Sequence, residues 1–262
     1  MFCCGRTDVG KLRRINQDSF MFERFDNGML LAVVCDGMGG AAGGGIASSL
    51  ACVNFVDCVT EFAESFPRKE KLTCTDERKI KSTLIEAVAK ANETVYGRAQ
   101  RDEDLHGMGT TLVAALLYCN VMFTVNIGDS RLYLIHKGKA EQISHDHSFV
   151  QYLVDIGRMS AEEARFSINK NIITKAIGTD PETEPDIFVT RLPKKSVSRE
   201  YIALLCSDGL SNLVTPEEIT DCISGALDIK SDRGLGIFCE ELIDIANDAG
   251  GNDNITTVII TI

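Results

Sequence analysis

Three aspartates occupy one kind of setting, an apolar run meeting an acid among small or polar neighbours. They stand in Val33-Val34-Cys35-Asp36-Gly37, in Leu205-Cys206-Ser207-Asp208-Gly209 and in Gly251-Asn252-Asp253-Asn254, the last preceding its run. A carboxylate at a strand end stands on the rim of a rigid sheet, and an adjacent glycine lets the backbone approach a cation and offer its carbonyl. Taken singly, each is an ordinary turn sequence. Asp18, closing Arg13-Arg14-Ile15-Asn16-Gln17-Asp18, and Asp129, in Asn126-Ile127-Gly128-Asp129-Ser130, bring the acids at expected element boundaries to five. Gathered together, such carboxylates repel one another unless cations lie between them. Arg13 carries a planar fork of donors suited to holding a phosphate through two hydrogen bonds, and on composition alone Arg14 is its equal.

Positioning these groups requires a framework, and apolar periodicity supplies one. Residues 45–62 read as a helix with Ile46, Leu50, Val53, Val56 and Val59 in its stripe; residues 76–100 as a second, with Ile80, Leu84, Val88, Ala91 and Val95. A third carries Leu235, Phe238, Leu242, Ile245 and Ala249. Between them, residues 112–143 read as an antiparallel meander turning at Cys119-Asn120, Gly128-Asp129 and Lys137-Gly138. Residues 30–35, 201–206 and 255–262 are near-continuous apolar or β-branched runs, as central strands buried on both faces would be. Capping boxes at Ser160 to Glu163 and Thr215 to Glu218, the second with Pro216 in first helical position, mark two short helices. Strands and helices come in blocks, which favours an α+β fold with helices layered on antiparallel sheet in one domain spanning 1–262.

Composition narrows the partners. At 262 residues, 44% hydrophobic and 25% charged, the chain can bury a large core. A net charge of −11 disfavours nucleic acid and anionic membrane, and Lys69 to Lys71 and Lys194 with Lys195 are too short to form a basic patch. The ten cysteines show no zinc-type spacing and read as small reduced core residues. With no signal pattern and no apolar run approaching ~18 residues, the cytoplasm is the expected compartment.

The motifs collectively resemble one family, the metal-dependent protein phosphatases of type 2C, in their compact bacterial form. Arg13-Arg14-Ile15-Asn16-Gln17-Asp18 is similar to the family's Arg-x-x-Asn-x-Asp, Asp36-Gly37-Met38-Gly39-Gly40 to its Asp-Gly-x-Gly-Gly, and Gly109-Thr110-Thr111 to its Gly-Thr-Thr. Residues 126–131, 144–148, 206–210 and 251–256 follow in order. The resemblance implies a four-layer αββα sandwich, two antiparallel sheets with helix pairs outside. It implies two Mn or Mg ions, Asp36 bridging them, the Gly37 carbonyl on one, and Asp208 with Asp253 on the other. Asp18 would order metal-bound water, Asp129 with Asp208 would support a third, weaker ion, and the motif selects Arg13 over Arg14 for phosphate. The implied reaction is hydrolysis of phosphoserine and phosphothreonine in proteins by a metal-activated hydroxide, without a phosphoenzyme, opposing a serine/threonine kinase and carried out by a monomer. Many relatives place histidine where Met38 or Ala41 stands here, so no side-chain acid for the leaving group is evident. Residues 144–185 would form a flap beside the site, with His145 and His147 bracing its base.

Rival readings exist. Residues 37–42 satisfy the G-x-G-x-x-A dinucleotide fingerprint, with Asp57 about 20 residues on. That reading needs a second parallel strand ending at the acid, whereas Asp57 falls inside a helical stripe. Ser130 as a nucleophile would require a strand-to-helix turn, but it heads a strand. A catalytically inactive phosphoprotein-binding relative would be expected to have lost some metal-site acids, and none is missing.

Overall fold

The computed structural model describes residues 1–193, 201–225 and 231–262, apart from the side chains at 41, 42, 224 and 225. Lys194 and Lys195 lie outside the described residues. The strands are β1 (Phe2–Asp8), β2 (Asp18–Arg24), β3 (Leu30–Met38), β4 (Gly109–Thr110), β5 (Leu112–Tyr118), β6 (Val121–Ile127), β7 (Arg131–His136), β8 (Lys139–Gln142), β9 (Asp186–Arg191), β10 (Ile202–Cys206) and β11 (Ile255–Thr261). The helices are α1 (Gly40–Ser65), α2 (Cys74–Arg101), α3 (Phe149–Asp155), α4 (Ala161–Arg165), α5 (Asp208–Ser211), α6 (Pro216–Gly225) and α7 (Asp232–Asp248).

Two antiparallel sheets result, ordered β1-β11-β10-β7-β8 and β2-β3-β5-β6-β9, with β4 attached to β3. Strand phase explains how they stack. In β3, Leu30, Ala32 and Val34 meet Val113, Leu205 and Val258 in the layer between the sheets. The alternate residues Leu31, Val33 and Cys35 face Phe55 of α1 and Leu84 of α2. On the other side, Tyr133 and Leu204 face Leu235, Phe238 and Leu242 of α7. Each of the leucines, valines and phenylalanines among them gains on the order of 1.5–3 kcal/mol from burial. The four-layer αββα arrangement is therefore built, and β3, β10 and β11 are central strands as their apolar runs predict.

Three expectations need correction. Residues 112–143 are not one meander. Cys119-Asn120 and Lys137-Gly138 do close hairpins, each pair with positive φ as a tight turn requires. At Gly128 the chain instead crosses between sheets, since β6 pairs with β5 and β9 while β7 pairs with β10 and β8. The stripe of α1 is wider than read: Val56 and Val59 are buried and Ile46 and Leu50 pack against the core as expected, but Val53 is exposed, and Ala47, Ala51 and Phe55 are buried beside them. In α7, Ala246 is buried in the core while Ala249 is the C-cap residue beyond the helix. Both predicted capping boxes form at α4 and α6, and Thr73 with Asp76 forms a third at α2. Gly43–Ser65 is long and apolar enough to cross a membrane by length and composition, and half of it is buried against the sheet and α2.

Candidate metal and phosphate site

Antiparallel pairing brings the acids to one end of the sandwich. Asp36 continues the inward row Leu30, Ala32, Val34 beyond the apolar layer, and its register partner across the sheet is Asp18. In the facing sheet β10 ends where β11 begins, Cys206 opposite Thr257, which brings Asp208 and Asp253 to the same rim. The crossing at Gly128 delivers Asp129 there. Arg13, Asp36, Gly37, Asp129, Asp208 and Asp253 all line one cleft of about 580 Å³. Asp18 stands behind Asp36, off the cleft wall.

Each group is fixed from behind. The Asp36 amide donates to Thr111 Oγ1 at 2.9 Å, and its carbonyl accepts from the Thr111 amide at 2.9 Å and from Thr110 Oγ1 at 2.8 Å. Gly37 must be glycine, since a Cβ there would overlap the carbonyl of Gly44 in the first turns of α1. Asp208 Oδ2 accepts from Asn212 Nδ2 at 2.9 Å. Arg13 Nη2 donates to Asp253 Oδ2 at 2.7 Å. The loop carrying Arg13 is tied down by Asn254, whose Nδ2 donates to the carbonyls of Val9 and Ile15 and whose Oδ1 accepts from the Gln17 amide. Arg14 also lines the cleft.

The electrostatics are those of a cation site. Asp18 Oδ1, Asp129 Oδ1 and Asp208 Oδ1 are buried without a hydrogen-bond donor. Burial and then the charges of Asp18 and Asp208 hold the Asp36 carboxyl well above the usual range. Burial and then Asp253 raise Asp208, whose side chain touches that of Asp36. Burial and then Asp208 raise Asp129, while burial pushes Asp18 up to about 6 against two hydroxyl donors. Carboxylates so crowded carry their full charge only with positive charge among them, and hard oxygens of this kind suit Mg or Mn. Among the described residues no three acid, histidine or cysteine side chains already close on one point. The donor-free oxygens weigh more, since ions that keep several waters need only one or two carboxylates each.

The family model for protein phosphatase 2C matches residues 12–235. The chain belongs to that family. The serine/threonine phosphatase stp of Listeria welshimeri is 35% identical over 256 residues, covering 97% of this chain and 93% of that protein. The solved structure of serine/threonine phosphatase Stp1 from Staphylococcus aureus matches with a TM-score of 0.84 at 32% identity, covering 99% of this chain and 94% of that one. The catalytic domain of serine threonine protein phosphatase PstP, solved in complex with 2 manganese ions, matches with a TM-score of 0.77 at 32% identity, covering 99% and 97%. This phosphatase is accordingly a hydrolase of a metal-dependent family.

The dinucleotide reading fails on topology: residues 37–42 do join β3 to α1, but α1 leads into α2 and every strand pairing among the described residues is antiparallel. Ser130 is fully buried, 2.7 Å from Thr111 Oγ1, and heads β7. His147 ties Thr174 and the turn at Gly128 together through its backbone, its amide donating to the Gly128 carbonyl and its carbonyl accepting from the Thr174 amide. Its Nδ1 accepts from the Gly128 amide at 3.1 Å, its Nε2 lies 3.2 Å from Asp186, and burial lowers its pKa so that the ring is neutral at pH 7. The His145 carbonyl accepts from Asn126.

Sequence reasoning missed Ser207 and Thr256. From the opposite sheet Ser207 Oγ donates to Asp18 Oδ2 at 2.8 Å and Thr256 Oγ1 at 2.6 Å. In sequence Thr256 reads as a strand residue and Ser207 as the residue after the run 201–206; their inward phase with Leu205 and Val258 is the signal that could have found them.

Proposed function

We propose that this phosphatase hydrolyses phosphoserine and phosphothreonine in proteins by direct attack on phosphorus. The observation that carries the reading is the meeting of Asp36, Asp208 and Asp253, with buried donor-free oxygens, in one cleft beside Arg13. Asp36 would lie between two divalent cations, Mn or Mg, with the Gly37 carbonyl on one and Asp208 and Asp253 on the other. Asp129 with Asp208 would hold a third. When bound, such ions lower the pKa of water to give hydroxide near neutral pH and offset charge on the phosphate oxygens.

The chain's own groups do the rest. Arg13, anchored by Asp253, presents its remaining donors to the phosphoryl group, fixing it for in-line attack. Asp18, held by Ser207 and Thr256, accepts hydrogen bonds from water near Asp36. Direct attack is supported by the lining of the cleft: among the described residues it holds no serine, cysteine, histidine or lysine, and its aspartates are crowded together as cation ligands are, rather than one being set apart as a nucleophile. Met38 also lines it, so the leaving alkoxide takes its proton from water rather than from a side chain there. Residues 144–185, carrying α3 and α4, form the flap of a single catalytic domain spanning 1–262.

We place the enzyme in the cytoplasm as a monomer opposing a serine/threonine kinase, away from nucleic acid and membrane. Its ten unpaired cysteines suit a reducing compartment, and its charge of −11 repels anionic surfaces. The test is phosphate release from a phosphothreonine peptide with manganese. Release that stops with chelation and with the Asp36→Asn/Asp208→Asn double variant is expected; activity surviving either would overturn the metal mechanism.

A further inference from the structure

Beside the main cleft lies a second, smaller cavity of about 190 Å³, which shares Arg13, Asn171 and Asp253 with it and adds Lys170, Asn212 and Asn252. It is smaller than the ~300–1,000 Å³ typical of sites for whole small molecules, so it fits one side-chain end.

Its charges are not balanced. Arg13 is matched by Asp253 at 2.7 Å, while Asp208 lines the main cleft and not this cavity. Lys170 has no ion pair or hydrogen bond from its ammonium among the described residues, although its charge reaches Asp208. It is half-buried and its backbone is held: the Lys170 amide donates to the Ser167 carbonyl at 3.3 Å, and the next turn, Ile172 to Asn169, is pinned to the start of α3 through Phe149. The backbone thus holds Lys170 beside the catalytic cleft while its ammonium makes no ion pair or hydrogen bond among the described residues, and the side chains of Asn171 and Asn252 line the same cavity.

We infer that this cavity is a second anion subsite, taking a carboxylate or a second phosphate carried by the substrate polypeptide near the residue being dephosphorylated. The inference rests on the phosphoprotein reading above and adds a sequence preference to it. A lysine suits either anion, since it acts as a point charge without demanding two-point geometry. Within a molecule whose overall charge is −11, this attraction acts at short range and selects for position, not for acidity in general.

The experiment compares phosphothreonine peptides that are neutral, that carry one glutamate, or that carry one phosphoserine, at each of the three positions on either side. Wild type, Lys170→Ala and Lys170→Arg are assayed with manganese for KM and kcat separately. For wild type we expect a KM about 5–10-fold lower at one or two positions. Lys170→Ala should erase that preference and Lys170→Arg should restore it. A response to glutamate alone or to phosphoserine alone identifies the anion. Equal preference in wild type and Lys170→Ala, an equal loss on every peptide, or no preference in wild type overturns the subsite. No turnover of the neutral peptide by wild type would instead contradict the phosphatase reading itself.

Discussion

Asp18 receives hydroxyl hydrogen bonds from Ser207 and Thr256 on the opposite sheet, while its other oxygen is buried without a donor. The two hydroxyls orient one oxygen and so aim the other at the space beside Asp36, as supporting groups commonly do for metal ligands and their water. Ser207→Ala should therefore weaken manganese binding roughly 10–100-fold without removing any ligand. Titration calorimetry checks this, and unchanged affinity would show that Asp18 needs no such support. Strand phase could have marked Ser207 and Thr256 as inward-facing but not as partners of Asp18, which lies 189 and 238 positions away. Asp36, Asp208 and Asp253 were legible only together, each alone being a turn residue.

At the scale of elements, the site depends on how closely α1 follows β3. Gly39, with φ 117, turns the chain into a helix that starts at Gly40. A Cβ at Gly37 would meet the Gly44 backbone and stand 2.6 Å from the Gln17 carbonyl, neither of which can give way cheaply. Gly37→Ala should cost roughly 1–3 kcal/mol and displace α1 from the cleft. Denaturant unfolding measures the first effect, and wild-type stability with full activity would refute both.

The start of α2 offers a pH-dependent test. Asp76 lies 2.6 Å from Lys69 Nζ and closes the capping box with Thr73, and these contacts, that with Lys69 first, hold its carboxyl well below the usual range. The folded state thus binds this proton less readily than the unfolded state. Its stabilisation is complete above the ordinary aspartate value of about 4 and is lost as pH falls below it. The Tm gap between wild type and Asp76→Asn should be widest near neutrality and close in acid; a gap constant with pH would contradict the assignment. The stripe of α2 was readable because its large residues repeat cleanly. That of α1 was read only in part, because Ala47, Ala51 and Cys52 also face the core and a search for large periodic side chains overlooks them. The crossing at Gly128 was misread for a related reason: a turn sequence does not say whether the next strand joins the same sheet.

For the molecule as a whole, the sandwich matters because it faces the ends of distant strands toward one another. Arg13 comes from the first loop and Asp253 from the last, and the antiparallel pairing of β1 with β11 brings them together. The fold class followed from blocks of strand and helix, but the division of strands between sheets did not, since strands buried on both faces look alike in sequence. The central claim is that carboxylates at one rim of the sandwich hold a pair of divalent cations. Crystals of the manganese-loaded protein, measured for anomalous scattering at the manganese edge, test it most directly. Two strong peaks in the cleft, one on each side of Asp36 and one of them next to Asp208 and Asp253, are predicted. A cleft without peaks at saturating manganese, or peaks only outside it, would contradict the account.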